Sequence, residues 1–319
     1  MVQQTIDPKN INPKRTAAGG PSPVNVSARR HLRHRLLDYA ARYYFLFSIL
    51  ALCFVLVLVT VFIGKTALLL FGHISPAQFF FSFDWTPEDE KFGAASFIIN
   101  TLSLTALTML ISVPISVGMA VLTAEIAPQW IKRFIRPVLD LLVGIPSIVY
   151  GYLGLTVLLP FLRRLSGEGL GDGLLAAALV LALMVLPTIA RISDDAIAAV
   201  PAKYRDAAYA LGSTRFQVIM RVVLPAAGRG ILSAVILGMT RAIGETMAVV
   251  MVIGNTPQLA KTLFTPSSVL TSNIVMQISN VEFDSTWNYA LHMMAFLLLL
   301  ISFVLILVIR FLGRKRRES

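Results

Sequence analysis

The chain is poor in what secreted and catalytic domains depend on. Its one cysteine, Cys53, lies inside an apolar run, so no internal disulfide can form and packing is its natural role. Four histidines (His31, His34, His73 and His292) are scattered without metal-ligand spacing. His292 opens an apolar segment and reads as interfacial. No nucleophile–base pair and no nucleotide fold stand out. Charge is scarce: 14% of 319 residues are charged, against roughly 25% in a soluble domain, and 56% are hydrophobic. The chain reads as an all-α polytopic membrane protein. Its first 44 residues are polar and basic, and no secretory signal peptide is expected there.

A spanning helix needs about 20 apolar residues. Six segments qualify: Phe45–Ile63, Phe97–Leu122 with Pro114, Leu141–Leu162 with Pro146 and several glycines, Gly173–Ala190 ending near Pro187, Gly230–Ile253, and Ala290–Ile309. Thr262–Val281 is also free of charge, but its Ser, Thr, Asn and Gln groups would be unsatisfied in lipid. It is expected outside, as a short helix after Pro266.

The Lys and Arg excess is lopsided, which is a topology signal and no sign of nucleic-acid binding. The N-terminal tail, the second–third connection, the fourth–fifth connection and the C-terminal tail hold 22 of 28, and the opposite loops hold five. Both termini are therefore expected in the cytoplasm. Residues 1–40 are expected as a disordered basic cytoplasmic tail, and 41–319 as a transmembrane domain with a cytoplasmic loop at 193–225.

Two motifs mislead. Gly64-Lys65-Thr66 resembles the end of a phosphate-binding loop, but Val59 stands where that loop needs glycine, and the segment is a helix end. Gly167-Glu168-Gly169-Leu170-Gly171-Asp172-Gly173 lacks dinucleotide spacing and a preceding strand, and reads as an outer turn.

Arg241 and Glu245 interrupt an apolar segment. A charge at bilayer depth costs about 2.5–3.5 kcal/mol on insertion scales, so it usually has a use. On a continuous helix the spacing of four puts both on one face. They would then either neutralise each other or serve a guest anion, with the planar guanidinium matching an oxyanion. Gly238, Ala242, Gly244 and Ala248 around them suit tight helix packing, so the pair is expected to face the bundle interior. Pro146 and Gly151 in the third segment mark either plain packing or a hinge or cavity wall.

The loop at 193–225 is patterned. Ser193-Asp194-Asp195 can cap a helix, and Pro201 suits a first turn. Tyr204, Ala207, Ala208 and Leu211 recur at helical spacing, and Gly212 supplies a left-handed cap. Ser213 or Thr214 caps a second run of Phe216, Ile219, Met220 and Val223, which Leu224-Pro225 closes. Two short amphipathic helices are expected, with the small face of Ala207 and Ala208 open to a partner.

The run Asp206-Ala207-Ala208-Tyr209-Ala210-Leu211-Gly212, followed by Leu224-Pro225, resembles the cytoplasmic loop signature of bacterial ABC-importer permeases. Asp206 stands where that signature usually has Glu. The charge is kept, with a reach shorter by one methylene. Thr123-Ala124-Glu125-Ile126-Ala127-Pro128, Gly144-Ile145-Pro146-Ser147-Ile148-Val149-Tyr150-Gly151 and the stretch from Arg241 to Val249 are similar to the C-type permease subunit of the phosphate-specific importer. The resemblance runs from about residue 40 to the C-terminus. It implies a six-helix type I ABC importer permease fold, not an enzyme, with no cofactor in this chain. It also implies a heterodimer with an A-type permease, a dimer of ATP-binding subunits holding ATP and Mg, and an extracytoplasmic phosphate-binding protein. Arg241 and Glu245 would line the substrate path, and Asp206, Ala207, Ala208 and Gly212 would couple to the ATPase. Sulfate or molybdate as the cargo, a passive channel, and a phosphate-sensing scaffold remain alternatives.

Overall fold

A computed structural model of the protein describes residues 24–167 and 171–315. The chain divides into two compact units, Met1–Val59 and Thr60–Ser319. In the first, the described backbone is the leading part of helix α1 (Val24–Leu69). Residues 24–40, expected as part of a disordered tail, are helical. No proline or glycine follows Pro23 until Gly64, and Arg, Leu and Ala are good helix formers. Residues 1–23 of that expected tail lie outside the described residues. From Ala41 to Val59 every side chain is exposed. A helix so apolar on all sides has lipid as its solvent.

Six helices among the described residues are long and apolar enough to cross a bilayer: Ala41–Gly72, Ala95–Ile126, Ser147–Leu165, Leu174–Ala198, Arg215–Gly244 and Thr286–Phe311. Their number agrees with the sequence. Several boundaries do not: the first span runs on to Gly72, and the fifth begins at Arg215. The third span starts after Pro146, the fourth runs through Pro187 to Ala198, and the fifth stops at Gly244.

The second unit opens with a small cap. Helix α2 (Pro76–Phe81) is started by Ser75, whose hydroxyl accepts from the Gln78 amide. A two-residue hairpin, β1 (Trp85–Thr86) and β2 (Lys91–Phe92), pairs Trp85 with Phe92. Trp85 stands edge-on to Phe92 and Phe97 at 5.4 and 5.3 Å, inside a core shared with Leu70, Phe79, Leu291 and Met294.

Helix α3 (Ala95–Val121) packs along α7 (Leu174–Ala198) through small residues such as Thr108, Ser112, Ser116 and Ala120, and Ser116 Oγ donates to the Leu186 carbonyl at 3.0 Å. Between them lie α4 (Gln129–Gly144), α5 (Ser147–Leu153) and α6 (Leu159–Ser166). Beyond α7 come α8 (Ala202–Ala210), α9 (Arg215–Val218), α10 (Leu224–Gly244), α11 (Met247–Val250), α12 (Leu270–Gln277) and α13 (Thr286–Lys315).

Helix α12 is the short helix expected after Pro266. Several polar groups beside it are paired inside the protein, although the buried Ser267 hydroxyl is not. Asn100 on α3 donates to the carbonyls of Gln258 and Ser268, both at 2.9 Å, and accepts from the Ala260 amide. Thr101 Oγ1 accepts from the Leu270 amide. One buried asparagine therefore fixes the polar segment against a spanning helix.

Candidate functional site

Arg241 sits in the last turn of α10, half-buried, and its Nη1 donates to Thr188 Oγ1 on α7 at 3.1 Å. That is the single hydrogen bond its guanidinium makes to the described residues. Helix α10 ends at Gly244, and Glu245 is extended (φ −73°, ψ 126°). The expected shared face therefore does not form, because spacing of four means one face only on an unbroken helix. No ion pair joins Arg241 and Glu245. Glu245 Oε1 accepts instead from the Ala248 amide at 3.2 Å, capping α11, and its carbonyl accepts from Thr271 Oγ1 on α12. Arg241 keeps donors in reserve, and Glu245 spends one oxygen on holding the break.

The third apolar segment expected from the sequence, Leu141–Leu162, is broken in the same way. Ile145 and Pro146 are extended between α4 and α5. Tyr150 bridges the gap, its hydroxyl donating at 2.8 Å to the Leu142 carbonyl, which the end of α4 serves only by a long 3.4 Å bond from the Ile145 amide. Gly151 lies against α11 so closely that a Cβ there would stand 2.9 Å from both Ala248 Cα and Met251 Sδ. The two interruptions, one at Pro146 and one at Glu245, belong to segments in backbone contact. In a membrane protein such breaks occur where protein or a wet cavity satisfies the freed groups.

The loop at 193–225 departs from expectation at both ends. Ser193, Asp194 and Asp195 do not cap a helix start; they lie in the last turns of α7. Asp194 is 1% exposed and takes Arg136 of α4 as a two-point partner, Nε to Oδ2 at 2.8 Å and Nη2 to Oδ1 at 3.3 Å. Thr123 donates to Oδ1, and Arg191 joins Asp194, Asp195 and Asp140. Nor does Leu224-Pro225 close a short helix. The segment from Arg215 to Gly244 is one helix, with a π turn at Ile219–Val223 just before the proline.

The middle of the loop agrees with the sequence. Gly212 adopts φ +79°, the left-handed conformation that ends α8, and Thr214 closes a capping box with Gln217. Of the four apolar positions Tyr204, Ala207, Ala208 and Leu211, only Ala208 turns inward, toward the core of Val218 and Val223. Ala207 and Asp206 are exposed. The outward surface consists of Tyr204, Tyr209, Leu211 at 87% and Phe216 at 71% exposure. The open face is thus larger and more apolar than an alanine pair would give.

Sequence reasoning missed the ion pairs of Asp194 and one more. Arg205 Nη2 meets Glu125 Oε1 at 2.6 Å, with the two side chains 19% and 14% exposed. Their separation of 80 residues hides them from any local pattern.

Residues 112–318 match the family model for the binding-protein-dependent transport system inner membrane component. The probable ABC transporter permease protein YqgH of Bacillus subtilis (strain 168) is 43% identical over 265 residues, covering 82% of this chain and 86% of that protein. The phosphate transport system permease protein PstC of Xylella fastidiosa (strain 9a5c) is 34% identical over 315 residues, covering 91% and 94%. Among solved structures, a bacterial ABC transporter involved in the import of the acidic polysaccharide alginate superposes with a TM-score of 0.60. It is 18% identical, covers 89% of this chain and 100% of its own, and speaks for the fold alone.

Proposed function

Because this chain belongs to the family of binding-protein-dependent transport system inner membrane components and matches phosphate permeases along most of its length, we propose that it forms part of the path for inorganic phosphate through an ATP-driven importer. It is a multi-pass inner-membrane permease, not an enzyme. Hydrolysis of ATP, with its Mg, belongs to a separate ATP-binding dimer. An A-type permease completes the transmembrane pair, a phosphate-binding protein delivers cargo from outside, and both termini lie in the cytoplasm. The exposed surface of Tyr204, Leu211 and Phe216 around Asp206 and Ala207 is where the ATPase docks, and Gly212 shapes its edge.

The observation that carries the reading is the guanidinium of Arg241. It is half-buried, held at one point by Thr188, and set beside two interrupted spans. A planar fork with free donors suits the oxygens of a phosphate anion. One Arg does not balance a dianion, so a second cation comes from the permease partner. Glu245 has an oxygen left over after capping α11. A carboxylate there accepts a hydrogen bond from protonated phosphate, which fully ionised sulfate cannot donate. Pro146 and Gly151 serve as the wall and pivot of the path.

The test is ATP-dependent uptake of labelled phosphate by the reconstituted importer, with sulfate as competitor. Arg241→Lys is expected to cut uptake at least tenfold, the factor that loss of a hydrogen bond to a charged group carries, about 1.5–3 kcal/mol. Glu245→Gln is expected to admit sulfate. Normal transport by Arg241→Lys overturns the binding role, and unchanged anion preference in Glu245→Gln overturns the selectivity role. Equal competition by sulfate in the wild type makes the chain a general oxyanion permease.

A further inference from the structure

We infer that Arg205 and Glu125 are a positioning pair that ties the ATPase-docking helix to the bundle and so sets how tightly ATP hydrolysis is coupled to transport. The inference rests on the importer reading above and names a device within it.

Helix α8 has nine residues, and only Ala208 among them is buried. Apolar contact alone holds it weakly. Arg205 points the other way from its exposed neighbour Asp206, and its guanidinium is spent wholly on the bundle. Nε and Nη2 donate to Glu125 Oε1 at 3.0 and 2.6 Å, Nη2 also donates to the Ile197 carbonyl at 3.1 Å, and Nη1 donates to the Val200 carbonyl. The last two are carbonyls at the C-terminal end of α7, where a cation also complements the helix dipole. Glu125 belongs to the π turn Leu122–Ile126 that ends the second span.

The same turn is gripped from two further sides. Arg215 Nη2, at the start of the fifth span, donates to the Glu125 carbonyl, and Lys132 Nζ of α4 donates to the Ala124 carbonyl at 2.8 Å. Three cations from three elements thus converge on one widened turn. Load applied to α8 reaches α3, α7 and the helix carrying Arg241 through this node. A lysine at 205 keeps the charge but cannot serve three acceptors in a planar fork. Ions this far removed from water, paired in good geometry, hold a fixed arrangement better than a free loop does.

The experiment uses the complete importer in vesicles, with ATP hydrolysed per labelled phosphate imported as the primary readout. Retention of the ATPase is followed by co-purification. Glu125→Gln and Arg205→Ala are expected to keep the complex together and raise the ATP:phosphate ratio about tenfold, the factor that one lost hydrogen bond to a charged group carries. Arg205→Lys is expected to fall between them and wild type. A proportional fall in hydrolysis and uptake at constant ratio means a merely structural role and overturns the inference, as does an unchanged ratio. A second readout does not depend on the cargo. A nitroxide at Ala202, exposed at the start of α8, is expected to gain mobility in both variants, and unchanged mobility also overturns it. Wild-type vesicles that hydrolyse ATP without importing phosphate count against the phosphate reading instead, and the nitroxide then decides this one.

Discussion

Asp194 offers a sharp test of the buried charge network, because a helix cap and a buried ion pair respond differently to the same substitution. As a cap, Asp194→Asn would be nearly neutral, since Asn and Asp cap equally well. In the structure the carboxylate is 1% exposed and bound at two points by Arg136, whose side chain is 38% exposed. Removing either partner strands the other, but in different surroundings. Arg136→Met keeps the aliphatic stem and leaves the carboxylate buried with only Thr123 at 3.2 Å and Arg191 at 3.5 Å. That approaches the cost of breaking a buried pair, about 3–5 kcal/mol. Asp194→Asn leaves guanidinia that still reach water, and Arg191 retains Asp140 at 3.2 Å and Asp195 at 3.3 Å. Its cost is that of one hydrogen bond to a charged group, about 1.5–3 kcal/mol. The order expected is Arg136→Met worse than Asp194→Asn. The double variant should be milder than their sum by at least ~1 kcal/mol. Equilibrium unfolding of the purified permease in mixed micelles, followed by tryptophan fluorescence, gives all three. A neutral Asp194→Asn, a reversed order, or a coupling energy below ~0.5 kcal/mol refutes the reasoning.

Gly212→Ala forces a side chain into φ +79° at a cost of about 1–2 kcal/mol. Amide exchange at Gly212 and Ser213, whose N–H groups bond back to Tyr209 and Ala208, is expected to quicken roughly tenfold, and unaltered exchange would mean the turn tolerates the change. Gly151→Val must push α5 from α11, because even the first added carbon stands 2.9 Å from the Ala248 backbone, an overpacking worth about 1–3 kcal/mol. Its melting temperature and uptake should both drop, whereas Gly144→Ala, with open space around it, should melt like wild type or higher.

What the sequence made legible was whatever depends on neighbours along the chain. Apolar length marked the six spans. Gly212 and Thr214 announced the turn and the cap between α8 and α9, and Pro266 preceded a short polar helix. What escaped depends on distant partners. Asp194 next to Ser193 and before Pro201 looks like a cap until Arg136, 58 residues upstream, is brought beside it. Glu125 and Arg205 show no signal in either local window. The pairing of Arg241 with Glu245 failed for a different reason. Spacing of four means contact only while the helix lasts, and Gly244 ends it. A glycine directly before the acid was the available warning.

Prolines deceive most, and the structure shows why. Leu224-Pro225 reads as a helix end because proline lacks an N–H and its ring strikes the carbonyl four residues back. The helix instead widens before it. The π turns at Leu122–Ile126, Gly154–Leu158 and Ile219–Val223 each end two residues before a proline: Pro128, Pro160 and Pro225. In each, an amide bonds five residues back: Ala127 to Leu122, Leu159 to Gly154, Leu224 to Ile219. The extra residue relaxes the turn that the ring would otherwise strike, so Pro160 and Pro225 are carried inside spans rather than ending them. Two of the three turns flank α8. One holds Glu125, and the other supplies Val223, with Val222 beside it, to the core that receives Ala208. Two of the three register irregularities of this permease therefore lie where α8 meets the bundle. A strictly α-helical frame at those positions would need both prolines replaced and would leave Glu125 turned away from Arg205.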